Sequence, residues 1–248
     1  MFLQENVVRI VDLSLTLDEA LPGTWPGQKT YKHVLWKDFP NEVCSTYWFR
    51  MDEHCGTHCD APAHFIVSSS EEERDANSGD KLDLSQMQGP LAVFDVRQLC
   101  NHGHAGIGAL IEPDVIEAWE HQYSPLNPKD ICVFQTGWDT YYQKGTAGYQ
   151  YLDGPVLKKD TFGWPTPSVD TIKLLFEKGI RCIGIDAPSI GSVQNGVDQH
   201  RFGLKKKMIY IEGLAQLDKV PVAGAHFIFL PLKISLSTGC PGRAIAIV

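Results

Sequence analysis

The chain of 248 residues contains no apolar run of about 18 residues, so no helical membrane span is expected. It also lacks an excess of basic residues. The 22 Lys and Arg stand against 30 Asp and Glu, a net charge of −8, and this balance disfavours nucleic acid as a partner. There is no C-x2-C pair to announce a structural cysteine site for zinc. The seven cysteines (Cys44, Cys55, Cys59, Cys100, Cys132, Cys182 and Cys240) are odd in number and dispersed. No disulfide framework is apparent, and a reducing cytoplasm is the simplest compartment. The first six residues lack the basic start and long apolar stretch of a signal peptide. No internal repeat is visible. The length suits one domain spanning residues 1–248, and a 43% hydrophobic content is enough for a sizeable core.

What is present is a dense group of metal-ligand side chains. His54, His58, Asp60 and His64 fall in an eleven-residue window, although the whole chain has only nine histidines. Imidazole and carboxylate together suit zinc or manganese. Thr46 to Met51 is rich in β-branched and aromatic residues and predicts a strand that ends where the cluster begins. Gly56 and Pro62 argue against a helix, so the ligands are expected on a bent loop. His54, His58 and Asp60 are the favoured ligands. Cys55 and Cys59 are read as packing residues, the alternative being a Cys/His structural zinc site. His64 lies four residues beyond Asp60, and spacing alone leaves it either a further ligand or a proton-transfer group beside the ion.

The remaining pattern alternates strands and helices. Strands are predicted over Val8 to Leu17, Leu91 to Val96, Ile131 to Gln135, Ile180 to Ile185, Phe227 to Ile234 and Ala244 to Val248. Helices are predicted over Pro113 to His121 and from the N-cap Ser168 to Lys178, with Gly179 ending the second. The polar stretch Ser68 to Gly79 is read as an exposed loop, a solvated connection or a mobile lid over the site. Gly154 to Pro167 is read as a structured connection. His102 and His104 sit in a Gly-rich surface loop, too flexible for a good metal site. Cys132 and Cys182 lie in apolar runs, as buried thiols do. Trp48 is read as core, whereas Trp25, in a loop beside Pro26 and Gly27, is open between packing and stacking on a flat substrate. Glu212 directly follows the apolar stretch Met208 to Ile211 at a predicted strand end, and buried carboxylates need a partner or a metal. Asp186 is read as support through hydrogen bonds.

The string from His54 to His64 matches the HxGTHxDxPxH signature at every fixed position and so resembles the metal-dependent cyclase-like hydrolases, a family that includes bacterial kynurenine formamidases and isatin hydrolases. The likeness continues through Trp25-Pro26-Gly27, Thr136-Gly137-Trp138, Gly184-Ile185-Asp186-Ala187-Pro188-Ser189, His200, Ile211-Glu212-Gly213-Leu214 and Thr238-Gly239-Cys240-Pro241-Gly242-Arg243-Ala244, nearly the whole chain. The resemblance implies that His54, His58 and Asp60 bind one ion and that Asp60 bridges to a second, held with His200 and Glu212. Some relatives work with a single ion. It implies that His64 is the general acid/base and that Trp25 lines the substrate pocket. The stretch between His64 and His200 is longer than in compact kynurenine formamidases, a departure that bears on the substrate.

The expected fold is a single α/β domain with a mixed, partly barrel-like sheet core and peripheral helices, of the swivelling β/β/α type that the resemblance implies, assembled as a homodimer or higher homo-oligomer. The expected function is arylformamidase-like: metal-dependent hydrolysis of a C–N bond in a small, aromatic amide or cyclic amide, such as N-formylkynurenine or an isatin-like lactam. The ion, zinc or manganese in one or two copies, makes bound water acidic enough to attack at neutral pH. One rival is lactone hydrolysis or cyclisation on the same scaffold. Another is a non-catalytic metal-binding protein, which would have no need of an unliganded base at His64.

Overall fold

A computed structural model describes residues 8–248 of the chain. Its strands are β1 (Ile10–Asp12), β2 (Lys32–Lys37), β3 (Thr46–Arg50), β4 (His58–Asp60), β5 (Gln88–Asp95), β6 (Leu110–Ile111), β7 (Ile131–Gln135), β8 (Thr166–Pro167), β9 (Cys182–Ile185), β10 (Ile209–Glu212), β11 (His226–Pro231) and β12 (Gly239–Ile247). The helices are α1 (Glu71–Ala76), α2 (Pro113–Gln122), α3 (Val169–Glu177) and α4 (Gly196–Lys205). Seven strands close a barrel in the order β12, β11, β5, β7, β9, β10, β4 and back to β12. Strands β5, β7, β9 and β10 run parallel to their neighbours in that series, and the remaining joints are antiparallel. Strand β12 is long enough to pair β4 through Gly239–Pro241 and β1 through Ile245–Ile247 along one edge.

Period-2 alternation sorts each wall strand into two cores. Ile131 and Val133 of β7 join Val93, Ile211, Phe227 and Ala246 in one cluster, the barrel interior. Cys132 and Phe134, the alternate residues, join Phe94, Ile183 and Tyr210 in the other, where Ile116, Trp119, Ile172, Leu175 and Leu204 of the helices cover the outside of the wall. Strand β7 is buried on both faces, which explains its unbroken apolar run. Helix α3 begins where Ser168 accepts a hydrogen bond from the Thr171 amide. It ends before Gly179, whose φ of +91° opens the turn. Among the described residues no helix is long and apolar enough to cross a membrane.

Four readings of the sequence outside the His/Asp cluster need correction. The segment read as a loop from Ser68 to Gly79 contains α1, because Ser70 accepts from the Glu73 amide and Glu73 reaches back to the amide of Ser69. The strand expected over Val8 to Leu17 shrinks to Ile10–Asp12, the length that β12 has left to pair beyond Arg243. The strand expected over Phe227 to Ile234 ends at Pro231. Trp48 is not core: β2 and β3 form a separate hairpin, exposed along both strands, in which Trp48 is 45% and Trp36 68% accessible. Its β-branched and aromatic composition predicts a strand, but composition does not say which surface covers it.

Candidate metal centre

The cluster is divided between the end of a turn and a buried strand, not carried by one loop. His54 lies in the turn after β3, whereas His58 and Asp60 are on β4, fully paired on both sides. Alternation on β4 sends Cys59 into the barrel interior and His58 and Asp60 to the outer face. The register then places Glu212 of β10 opposite His58 and Tyr210 opposite Asp60. Helix α4 packs against this part of the wall and presents His200. Thus residues 152 positions apart in sequence, Asp60 and Glu212, meet between the barrel and one helix. His58, Asp60, His200 and Glu212 are all buried.

The donor atoms fall into two sets that share Asp60: His54, His58 and Asp60 in one, and Asp60, His200 and Glu212 in the other, each within 4.8 Å of one another. Tautomers are fixed from behind. His58 Nδ1 donates to the Gly56 carbonyl at 2.9 Å, and His200 Nδ1 donates to the Gly196 carbonyl at 2.7 Å. With Nδ1 engaged, each Nε2 faces the carboxylates and is the atom a cation would take, the outer-sphere arrangement that metal-binding histidines use. His58 Nε2 and Asp60 Oδ2 are buried without a hydrogen-bond partner, a costly state that a cation would relieve. Glu212 Oε1 accepts from the Ile190 amide at 2.6 Å and from Ser189 Oγ at 3.1 Å. Its Oε2 lies 3.5 Å from His58 Nε2.

The electrostatics ask for positive charge. Burial opposes ionisation of Asp60, yet the close imidazoles of His200 and His54 hold its carboxyl well below the ordinary value. Burial also works against the charged form of His200, but Asp60 and Glu212 more than offset it and push this imidazole up to about 10. His58 is driven the other way by burial and by neighbouring His54, and stays neutral as a ligand should. A divalent ion among these groups supplies the charge that a proton on His200 otherwise provides, and the N/O donor set suits zinc or manganese.

His64 stands apart. It ends a single 3₁₀ turn, Pro62–His64, and belongs to neither donor set. Its ring centroid lies 4.0 Å from that of His54 and 6.2 Å from that of His200. Burial lowers its basicity. It lines a cavity of about 350 Å³ together with Trp25, Phe65, Leu152 and Val193, and the donors His54, His58, His200 and Glu212 line the same cavity. The Trp25 indole meets the buried Trp164 edge-on at 6.2 Å, so it both packs and faces the cavity. Every site residue expected from the sequence is thus brought to one place. Sequence reasoning missed Ser189, Phe65, which stacks on His200 at 4.7 Å, and the support under His54. Glu53 Oε2 accepts from Thr238 N and Gly239 N and ties the turn to β12. Asp186 accepts from Thr136 N, Thr136 Oγ1 and Gly137 N, the support by hydrogen bonding that its sequence position suggests. His102 and His104 are exposed and lie in neither donor set.

Comparison with known proteins places this arrangement. The family described as "Putative cyclase" matches residues 11–192. The chain belongs to this cyclase family. It is 33% identical over 210 residues to an isatin hydrolase of Roseibium aggregatum, covering 81% of this chain and 74% of that protein. It is 26% identical to a kynurenine formamidase of Bacillus anthracis over 95% of each chain. Among solved structures it superimposes on an isatin hydrolase bound to the product analogue thioisatinate with a TM-score of 0.84 and 25% identity, covering 97% of this chain and 92% of the other. The mixed α/β barrel read above is the isatin hydrolase fold.

Gly239 gives the cyclase-family site a sharp test. A Cβ built there would lie 2.6 Å from His54 Cε1 and 2.7 Å from both ring nitrogens, so the glycine is the floor beneath the imidazole. Gly239→Ala is expected to displace His54 and lower metal affinity by roughly 10–100-fold, the range seen when ligand support is lost, while the far-ultraviolet circular dichroism is unchanged. Metal titration of the variant with unaltered affinity would show that His54 is not held against Gly239 for binding.

Proposed function

We propose that the protein is a metal-dependent hydrolase acting on the C–N bond of a small aromatic amide or cyclic amide, with His54, His58 and Asp60 holding one ion, Asp60, His200 and Glu212 a second, and His64 transferring protons. The observation that carries this reading is the pair of donor sets that share the buried Asp60 and present His54, His58, His200 and Glu212 to an aromatic-walled cavity, with an imidazole outside both sets lining the same cavity. A divalent cation held there polarises the scissile carbonyl and acidifies water. The chain's own groups do the rest. His58 and His200 keep their Nε2 lone pairs aimed at the centre through their Nδ1 bonds to carbonyls. Trp25 and Phe65 exclude water and orient a flat substrate. His64, kept neutral by burial, accepts a proton as the nucleophile attacks and returns it to the departing nitrogen.

Isatin hydrolase and kynurenine formamidase activities among the relatives support a C–N bond over the lactone alternative. The test is metal analysis of purified protein followed by assay of zinc- and manganese-loaded protein on N-formylkynurenine, isatin and small lactones. Turnover of lactones alone would replace the amide reading, and metal binding without turnover of any of them would leave a binding protein.

The whole chain acts as one domain in this proposal, supported by two cores built on opposite faces of the same barrel wall. Seven free cysteines support a cytoplasmic location. Self-association as a homodimer or higher oligomer is supported by the β2–β3 hairpin. A two-stranded hairpin is marginal in water by itself, yet this one exposes Leu35, Trp36, Tyr47, Trp48 and Phe49. Replacing Trp36 and Trp48 together by Ser is expected to weaken association by about 3 kcal/mol, roughly a hundredfold. Light scattering across a dilution series reads this. A wild-type protein that stays monomeric at high concentration overturns the oligomer proposal.

A further inference from the structure

The three imidazoles of the donor sets do not meet the centre in the same sense. His58 and His200 are held from behind at Nδ1 by backbone carbonyls, which leaves Nε2 toward the carboxylates. His54 is turned the other way round. Its Nδ1 lies 2.9 Å from Asp60 Oδ1, and its Nε2 lies 3.2 Å from Thr238 Oγ1. The partner behind this ring is a side-chain hydroxyl, immediately before β12, and a hydroxyl can donate as well as accept.

A carbonyl fixes a tautomer because it can only accept. Thr238 does the same only if its one hydroxyl proton is committed elsewhere. Glu53 supplies that commitment. Its Oε2 accepts from Thr238 Oγ1 at 3.1 Å, from the Thr238 amide at 2.8 Å and from the Gly239 amide at 3.3 Å. A carboxylate cannot donate, and a hydroxyl bonds it more strongly than it bonds a neutral nitrogen. The hydroxyl proton therefore goes to Glu53, and the Thr238 oxygen is left as an acceptor facing His54 Nε2. The ring rests against Gly239 between its two partners.

We propose that Thr238 is a positioning residue that makes His54 bind its ion through Nδ1, the reverse of His58 and His200, by accepting the Nε2 proton along the chain of Glu53 carboxylate, Thr238 hydroxyl and His54 imidazole. The assignment rests on the metal-site reading above and adds which atom of His54 binds and what holds it there. No proton changes hands in this chain. The hydroxyl donates to the carboxylate and the imidazole donates to the hydroxyl, each bond polarising the next. With Nε2 protonated and engaged, the neutral ring keeps one lone pair, on Nδ1, and that atom is the one beside Asp60. Without the hydroxyl, either nitrogen can carry the proton and the ring is free to present the wrong one.

The experiment uses zinc-loaded protein carrying isotope-labelled histidine, with Thr238→Val, which keeps the shape and loses the hydroxyl, and Thr238→Ser, which keeps the hydroxyl. Two-bond nitrogen–proton correlation spectra read which ring nitrogen of each histidine holds zinc and which holds a proton. The His54 ring is identified by its absence from His54→Gln. Competitive titration reads zinc affinity, and circular dichroism checks each fold. Wild type should show zinc on His54 Nδ1 and a slowly exchanging proton on Nε2. Thr238→Val should lose that slow exchange and bind zinc roughly 10–100-fold more weakly, and Thr238→Ser should restore both. A purely packing role predicts the opposite order, because valine fills the volume of threonine and serine does not. Zinc on His54 Nε2, no zinc on His54, wild-type affinity in folded Thr238→Val, or a Thr238→Ser protein as weak as Thr238→Val each overturns the proposal. Should Thr238→Val not fold, the wild-type spectrum and the Thr238→Ser titration decide it. Turnover is read separately: zinc held through Nδ1 without hydrolysis of any amide or lactone would sink the hydrolase reading and leave the role of Thr238 standing.

Discussion

Asp60→Ala is expected to release all bound metal and abolish turnover, a larger loss than replacement of any other ligand. The reason is connectivity. Asp60 alone belongs to both donor sets, and its two oxygens face different partners: Oδ1 lies 2.9 Å from His54 Nδ1, and Oδ2 lies 3.3 Å from His200 Nε2. Removing it leaves two imidazoles on one side and an imidazole with one carboxylate on the other, neither a competent site for a divalent ion. With the cation gone, several kcal/mol of carbonyl polarisation and water activation go with it, and the rate should fall by about 10⁴-fold or more. His200→Ala should behave differently, keeping the ion of His54, His58 and Asp60 and losing the other. Elemental analysis of the purified variants reads the stoichiometry directly: two ions in wild type, one in His200→Ala, none in Asp60→Ala. Asp60→Asn, which keeps the side-chain volume on a buried strand, separates loss of metal from loss of fold. Wild-type metal content in Asp60→Asn and Asp60→Ala would remove Asp60 from the ligand set. One ion in wild type and one in His200→Ala would make this a single-metal enzyme in which His200 and Glu212 orient the other groups.

The physical reason why some of this site was legible in sequence, and some was not, lies in which contacts are local. His54, His58, Asp60 and His64 are bunched because one turn and one short strand supply them, and no tertiary knowledge is needed to see the group. The mistake over a bent loop came from Gly56 and Pro62. Gly56 does take a φ of +66°, but it ends its turn just before β4 begins, and Pro62 opens the 3₁₀ turn just after β4 ends. Three residues between two breakers leave no periodicity to read. Helix α4 escaped for another reason. Its buried face is Gln199, His200, Gly203 and Leu204, mostly polar or without a side chain, so no apolar stripe betrays it. That face is polar because it serves the site: Gly203 leaves room for the Tyr210 hydroxyl, and Gln199 bonds the Ser192 amide. Glu212 is legible because a carboxylate that closes the apolar run Met208 to Ile211 is buried, and a buried carboxylate needs a partner. Its partners, His58 and His200, come from a distant strand and from α4. Ser189 and Gly239 fall within stretches that carry the family likeness, but no role attaches to them there, since a serine supporting a carboxylate and a glycine under an imidazole look like any others until the chain is folded.

His64→Ala is expected to lower kcat by roughly 10²–10⁴-fold while metal content stays at the wild-type level. The two halves of that statement have separate structural grounds. Metal retention follows from His64 lying outside both donor sets, at the end of its own 3₁₀ turn, so its loss removes no ligand. The rate loss follows from its place on the cavity wall within 4.0 Å, ring centroid to ring centroid, of His54. No side-chain hydrogen bond to another described residue engages its ring nitrogens, so they are free to exchange a proton with substrate or water. A change confined to proton transfer should appear in kcat more than in KM. It should also be partly restored by imidazole added to the assay, because the cavity vacated by the side chain opens to the same wall. Structural damage would not respond to imidazole, and that contrast keeps a merely destabilised variant from passing as a catalytic one. A His64→Ala protein without metal would move His64 into the ligand shell. One that turns over like wild type would leave proton transfer to water or to Glu212, whose Oε2 faces the same centre.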